Sequence, residues 1–424
     1  MLHPKMRYVY VGIDSHKETH CAVILNCFFE KLGEIGFRNA PSEYEGFFAQ
    51  IQQYGTDGAD LAFGLEDVSA YGRALAVFLS RKGKVVKHVN AALVASERKS
   101  LNTLHKTDPF DAECAARVLL SRFDNLPDAE PQDKCWVLKN LVARRKMVVR
   151  MNTALKSQLH SFLASHYPSY HKFFVHIDGV TSLVFFDRYP SPSALRDVTE
   201  EELAVLLESH SNKRLRLAKA RQILEFVAND GDTTSEHQEM RDFAIKSIIR
   251  QMRENIREMS LIDGMLETFL GHFDFDLTSM KGVDTVLAAY LMAEIGDISR
   301  FPSPAKLARY SGVAPVTYSS GKTDMQYANQ RGNRALNSLF YRLAVMVTMT
   351  AGPAKKVLNP FFYDYCHRKM SEGKTKHQAL ICVMRRLVNI IWGMMKHGAD
   401  YINPPTYDLP NEEAQSLDTA TDKS

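Results

Sequence analysis

Short apolar runs fill the first hundred residues, and apolar positions recur at helical spacing through most of the remainder. Tyr8 to Asp14 (YVYVGID), His20 to Asn26 (HCAVILN) and Gly33 to Phe37 read as three strands joined by tight turns. Asp60 to Glu66 (DLAFGLE) and Val85 to Val89 read as two more. Helices are expected from Pro41 through Gln53, from Ala70 to Lys82 and from Ala91 to Ser100. A further helix, Ala112 to Leu120, has Asp108 as its expected N-cap and Pro109 in its first turn. Three early strands followed by alternating helix and strand predict a mixed α/β sheet covered by helices.

Beyond Pro127 and Pro131 the period becomes helical. Leu138, Leu141, Val142, Val148, Val149, Leu155, Leu159 and Phe162 predict one long helix through Leu163. Ile248 to Phe269 predicts a second, within His237 to Phe269. Two such helices can pair as an antiparallel coiled coil or dimerise with another chain. Shorter helices are expected over Thr199–Leu207, opened by Thr-x-Glu-Glu, and Lys213–Val227. Met280-Lys281-Gly282-Val283-Asp284 precedes a helix over Thr285–Ile295 and looks like half of a helix–hairpin–helix. Phe301 to Tyr310 is the next helix, Gly312 to Lys322 a polar loop, and another helix follows Gln330-Arg331-Gly332-Asn333-Arg334.

Composition excludes more than it selects. A chain of 424 residues with 45% apolar and 24% charged residues is long enough for two or three domains with real cores. Six scattered cysteines form no CxxC pair and no zinc spacing, which favours a reducing compartment. No signal-peptide run precedes the first strand, and the most apolar stretch, Ala379 to Met395, is broken by Arg385 and Arg386. The expected location is cytoplasmic.

Net charge is only +4, but its distribution is uneven. Lys134 to Lys156 holds seven bases, among them Arg144, Arg145 and Lys146, and no acid. Lys322 to Lys396 holds thirteen bases against three acids, interleaved with Phe340, Tyr341, Phe361, Phe362, Tyr363 and Tyr365. Such a face is either solvated or meets a polyanion; the second concentration favours nucleic acid.

The candidate chemistry lies in four acids. Asp14 and Glu66 each end an apolar strand, and Asp108 and Asp111 open a helix at a spacing that can point both to one side. Each acid alone could merely end or cap its element. Four converging on one crevice would repel unless a cation neutralised them, and Mg²⁺ or Mn²⁺ suits an all-oxygen set.

The order Asp, Glu, Asp, Asp on this layout resembles a RuvC-like, RNase H-fold nuclease domain. More narrowly, VGIDSHKETH, GLEDVSAYGRAL and KTDPFDAECAA resemble the DEDD transposases of the insertion-sequence one-ten family, whose relatives include the Piv-type DNA invertases. EIGDISRFPSPAKLARYSGVAPVTYSSGK and QRGNRAL resemble that family's C-terminal domain. The resemblance implies metal ligation by Asp14, Glu66, Asp108 and Asp111. It implies a nucleophilic serine at Ser320, with Ser319 adjacent, that forms a phosphoserine link to DNA. It also implies a structured guide (bridge) RNA. Lys322, Arg331 and Arg334 are expected to meet backbone phosphates, and Asn337 departs from the family pattern, which has arginine there.

The expected layout is a RuvC-like DEDD domain over 1–125 and a helical, coiled-coil and dimerisation region over 126–275. A mostly α C-terminal serine domain over 276–405 and a disordered tail over 406–424 complete it. A homo-oligomer, dimer or tetramer, suits an enzyme that handles two DNA partners. The expected function is a DNA transposase or site-specific recombinase. A Holliday-junction-type RuvC-like hydrolytic nuclease and a Piv-like invertase are the near alternatives. A sugar-kinase-like fold would need Gly-rich phosphate loops, and none is found; in a non-catalytic scaffold the acids would be structural.

Overall fold

A computed structural model describes residues 4–55, 58–68, 70–101, 107–129, 133–234, 236–320, 323–327, 329–352 and 356–402. The side chains of residues 133, 317–320, 323–327 and 351 lie outside the described set. The chain divides into two compact units, one of residues 1–137, 280–282 and 291–424, the other of residues 138–279 and 283–290.

The first unit opens with β1 (Tyr8–Ser15), β2 (Thr19–Leu25) and β3 (Lys31–Arg38), then α1 (Pro41–Gln52), β4 (Asp60–Leu65), α2 (Arg73–Arg81), β5 (Val85–His88), α3 (Ala91–Ser100) and α4 (Asp108–Arg122). The five strands lie in the order β3-β2-β1-β4-β5. The pairs β1/β2 and β2/β3 are antiparallel, while β1/β4 and β4/β5 are parallel. The expected mixed α/β sheet is therefore present.

Strand alternation divides the sheet into two faces. Val9, Val11, Ile13, Ile24, Phe63 and Leu65 pack under α1 and α2. Tyr10, Val23 and Leu25 turn to the other face, where α3 and α4 supply Val94, Ala112, Ala116, Val118 and Leu119. Gly12 belongs to this second face by the same alternation, and its parallel neighbour across the sheet is Gly64. A Cβ on Gly12 would sit 2.1 Å from the Ala112 carbonyl and 2.2 Å from the Ala116 nitrogen. One on Gly64 would meet Val89 at 2.9 Å and Leu119 at 3.2 Å. Helix α4 thus rests directly on strand backbone.

The start of α4 differs from expectation by one residue. Thr107 has extended dihedrals and occupies the cap, and its carbonyl accepts the first helical bond from the Asp111 N–H at 2.9 Å. Asp108 is therefore inside the helix, with its carboxylate not used as a cap.

The second unit is helical: α5 (Asp133–His166), most of which belongs to it, α6 (Val180–Arg188), α7 (Glu200–His210), α8 (Leu217–Asp230) and α9 (Gln238–Leu270). Its core is aromatic, with Tyr167, Phe173, Phe185 and Phe186 joined by Ile245, Ile249 and Met252. The Thr199/Glu202 capping box at the start of α7 is formed in both directions. Helix α8 begins at Leu217, later than expected, because Asn212 and Lys213 adopt positive φ.

After α10 (Thr285–Ile295) and α11 (Pro304–Tyr310), the expected polar loop is instead a hairpin, β6 (Val316–Ser320) and β7 (Thr323–Tyr327), paired antiparallel with Ser320 opposite Thr323. Val316, Thr317 and Tyr318 have the β-branched and aromatic character that strands favour. Helices α12 (Arg334–Val347), α13 (Pro360–Ser371) and α14 (Lys376–His397) complete the unit. Helix α14 is the one described helix long and apolar enough to cross a membrane; half of its apolar window is buried, and its Trp392 donates to the Phe301 carbonyl at 2.8 Å.

Replacing Gly12 by Ala should lower the unfolding free energy by about 1–3 kcal/mol, the usual range for forced overpacking. Urea midpoints measure it. Gly36→Ala, where nothing lies within 4 Å of the added carbon, is the control and should change stability by no more than about 0.5 kcal/mol.

Candidate active site

Asp14 stands near the carboxyl end of β1 on the face covered by α4, two residues beyond Gly12, and is only 8% exposed. The turn that follows returns His16 over it. His16 Nε2 lies 3.1 Å from Asp14 Oδ2 and 3.3 Å from Asp108 Oδ1, so the imidazole bridges a buried carboxylate and an exposed one. Ligand atoms of Asp14, His16 and Asp108 all lie within 4.8 Å of one another.

The other two expected acids are placed differently. Asp111 is buried and ion-paired with Arg98 in the last turn of α3. Glu66 follows β4, half-buried, and its N–H donates to the Ile13 carbonyl at 3.4 Å. That bond makes it the cross-strand neighbour of Asp14. Asp14, Glu66, Asp108 and Asp111 are therefore carried by adjacent elements, although Glu66 and Asp111 are not in the tight cluster.

The crevice has a negative field. Burial pushes the Asp14 carboxyl above its ordinary value; His16 pulls it down, and the carboxylates of Asp108 and Asp111 push it further up. Burial also raises the Cys21 thiol to about 11, with Glu34, Asp108 and Asp14 adding to the shift. Cys114 is likewise raised to about 11, by burial and then by Asp111. A divalent cation fits this donor set. Two carboxylates and one imidazole nitrogen converge where negative charge is crowded, and an oxygen-rich set with one nitrogen admits Mg²⁺ and is well suited to Mn²⁺.

Sequence reasoning passed over His16 and Arg98. The signal for His16 was its place in the tight turn immediately after a strand-terminal acid. Nothing local marks Arg98, whose partner is thirteen residues away.

The basic residues divide into two groups. In the second unit, Arg144 meets Glu258 at 3.3 Å. Arg145 forms a two-toothed pair with Asp263 and donates to the Tyr290 hydroxyl at 3.2 Å. Lys146 lies 4.9 Å from the centre of the Tyr290 ring. Glu258 and Asp263 are on α9, so acids absent from Lys134–Lys156 are supplied by another helix. In the first unit, Arg331 and Arg334 are exposed at the start of α12, where Asn333 caps the Leu336 N–H at 3.0 Å. Asn337 donates to the Ser311 carbonyl at 3.1 Å. Ser320 ends β6, but its side chain and that of Ser319 lie outside the described residues, as does Lys322 entirely.

Fold and site together define an α/β protein with an acidic crevice fitted to a divalent cation. Residues 11–168 match the DEDD transposase profile of the IS110 group, and residues 276–358 match the Transposase IS116/IS110/IS902 family. The chain belongs to this family of DEDD transposases, enzymes that use divalent metal. It is similar to the uncharacterized 44.8 kDa protein of insertion element IS116 from Streptomyces clavuligerus, at 26% identity over 92% of this chain and 94% of that protein. It is similar to the 42 kDa protein of IS900 from Mycobacterium paratuberculosis at 24% identity, over 93% and 97% of the two chains. The pilin gene-inverting protein of Moraxella lacunata is 23% identical over 93% of this chain and 98% of its own.

Because the Asp14 pKa is raised by folding, the metal-free folded state holds the Asp14 proton more tightly than the unfolded chain does. Stability then falls as pH rises between the ordinary carboxylate value and the raised one, and this loss persists at neutral pH. Asp14→Asn should therefore raise the thermal midpoint of the metal-free protein at pH 7, and the difference should shrink on acidification. Adding Mn²⁺ at a hundred times its dissociation constant should stabilise the wild type by about 2.7 kcal/mol and the variant much less.

Proposed function

We propose that this transposase cuts and rejoins DNA by joining a serine nucleophile to its acidic crevice. The convergence of Asp14, His16 and Asp108 carries the reading, because a crowded carboxylate set on a mixed sheet is what phosphodiester chemistry with divalent metal requires. Three antiparallel strands followed by two parallel ones, with Asp14 and Glu66 at neighbouring strand ends, support an RNase H-like, RuvC-like domain over 1–125.

Asp14 and Asp108 hold the cation, Mg²⁺ or Mn²⁺, with Glu66 and Asp111 completing the negative wall. When bound, the cation stabilises charge on the attacking and leaving oxygens. His16 shields the two carboxylates from each other in its absence, and Arg98 orients Asp111. Ser320, in a C-terminal serine domain over 276–405, loses its hydroxyl proton and forms an Oγ–P bond to the DNA backbone. The P–O bond to the departing strand breaks, and the freed strand oxygen takes up a proton. The phosphoserine ester keeps the energy of the broken phosphodiester, so a strand hydroxyl can reverse the step and reseal without ATP. Arg331, Arg334 and Lys322 hold phosphates.

A structured guide RNA completes the assembly, and the 126–275 region carries dimerisation. Ion pairs between α5 and α9, Arg144 with Glu258 and Arg145 with Asp263, support an intrachain coiled coil. End-to-end similarity to pilin gene-inverting proteins favours inversion as a second outcome of the same chemistry.

Suicide DNA substrates that trap a protein–DNA adduct test the mechanism. The wild type should yield an adduct mapping to Ser320, and Ser320→Ala should yield none while retaining DNA binding. Ser319→Ala should retain the adduct. Asp14→Ala should abolish both adduct and cleavage. Cleavage by Ser320→Ala at the wild-type rate would instead establish a hydrolytic nuclease.

A further inference from the structure

A cleft of about 850 Å³ opens in the first unit between the start of α12, the start of α14 and the base of the β6–β7 hairpin. Pro315 and Asn329, which flank the hairpin, both line it. Its back is formed where two glycines touch: a Cβ on Gly332 would sit 2.4 Å from the Gly312 Cα, so the turn before α12 lies directly on the turn after α11. Its floor is apolar, with Val313, Ile381 and Met384, and Ile381 remains 38% exposed.

Two rings stand in the wall. Tyr341, 40% exposed, and His377 have ring centroids 6.0 Å apart at 45°, which leaves ring surface open to the cleft. Arg334 lines the rim and has no ion-pair partner among the described residues. Lys376, next to His377, opens α14.

We propose that this cleft takes one or two unpaired nucleotides of the DNA strand that lies beside Ser320. A duplex cannot enter a concavity of this size, and a phosphate alone would gain nothing from the apolar floor. A nucleobase satisfies both parts: its faces meet Tyr341, His377 and Ile381, while its phosphate meets Arg334. The excess of bases over acids between Lys322 and Lys396 suits that anion. The inference rests on the reading that Ser320 opens a strand, since breakage and exchange leave bases without partners next to the hairpin. The cleft keeps such a base out of the duplex until the strand is resealed.

The test uses the full-length protein and a single-stranded deoxyoligonucleotide carrying 5-iodouracil, photocrosslinked and mapped by mass spectrometry. Crosslinks should fall on Tyr341 or His377. In direct binding, Tyr341→Ala should weaken affinity for the single strand about tenfold and Tyr341→Phe less than about twofold, with duplex binding unchanged. Crosslinks confined to other regions, or single-strand affinity unaltered by Tyr341→Ala, would overturn the cleft and leave the recombinase reading standing. An RNA oligonucleotide bound as tightly, with the same dependence on Tyr341, would overturn the assignment to DNA. A wild-type protein that binds no DNA in any form would overturn the functional reading itself. Because crosslinking is read on the wild type, a misfolded variant does not blunt the test.

Discussion

The site depends on how closely one helix can approach one sheet. Gly12 and Gly64 are neighbours across β1 and β4, and without side chains they let α4 lie against the strands through Ala112, Ala116 and Leu119. Asp111 is the residue before Ala112, and Asp108 lies one turn earlier. Any lateral or outward shift of α4 is thus passed to the carboxylates at its N-terminus. Glycine in a strand carries an entropic cost, and here that cost is offset by burial of an alanine-rich helix face. The Arg98–Asp111 pair ties the same end of α4 to α3.

That geometry sets up an electrostatic conflict. The contact that buries Asp14 also brings Asp108 and Asp111 toward it, so its carboxyl is shifted up by desolvation and by like charge together. His16 relieves part of the conflict by standing between two of the three carboxylates. Crowding these carboxylates lowers the protein's own stability, a cost usual where binding groups are held in advance of a ligand. A half-exposed imidazole can swing aside at little cost. A buried arginine or lysine in its place would not.

Much of this was legible from the chain alone because its determinants are local. Apolar runs ending in Asp14 and Glu66 mark strands whose ends share a crevice, and the Thr199 capping box and Thr285–Ile295 helix follow from short patterns. What escaped was non-local. The basic face of α5 looked unanswered because Glu258 and Asp263 lie more than a hundred residues further on. Arg98 looked like part of an ordinary basic helix end until folding set it beside Asp111. The stretch after Gly312 looked like a loop because serine and glycine outweighed the short Val-Thr-Tyr signal, and pairing with Thr323–Tyr327 decided otherwise. His16 was overlooked for a different reason: a histidine in a turn acquires meaning only once the turn's direction is known.

The first unit is interrupted in sequence, with more than a hundred residues of helical chain between its sheet and its later helices. A ribosome that has finished the sheet and α4 has still to make α12 and α14, which at about 5–20 residues per second takes on the order of tens of seconds. During that interval the carboxylates exist while the hairpin that carries Ser320 does not. A nascent chain therefore has the acidic crevice before it has the hairpin. The first unit becomes complete only late in translation.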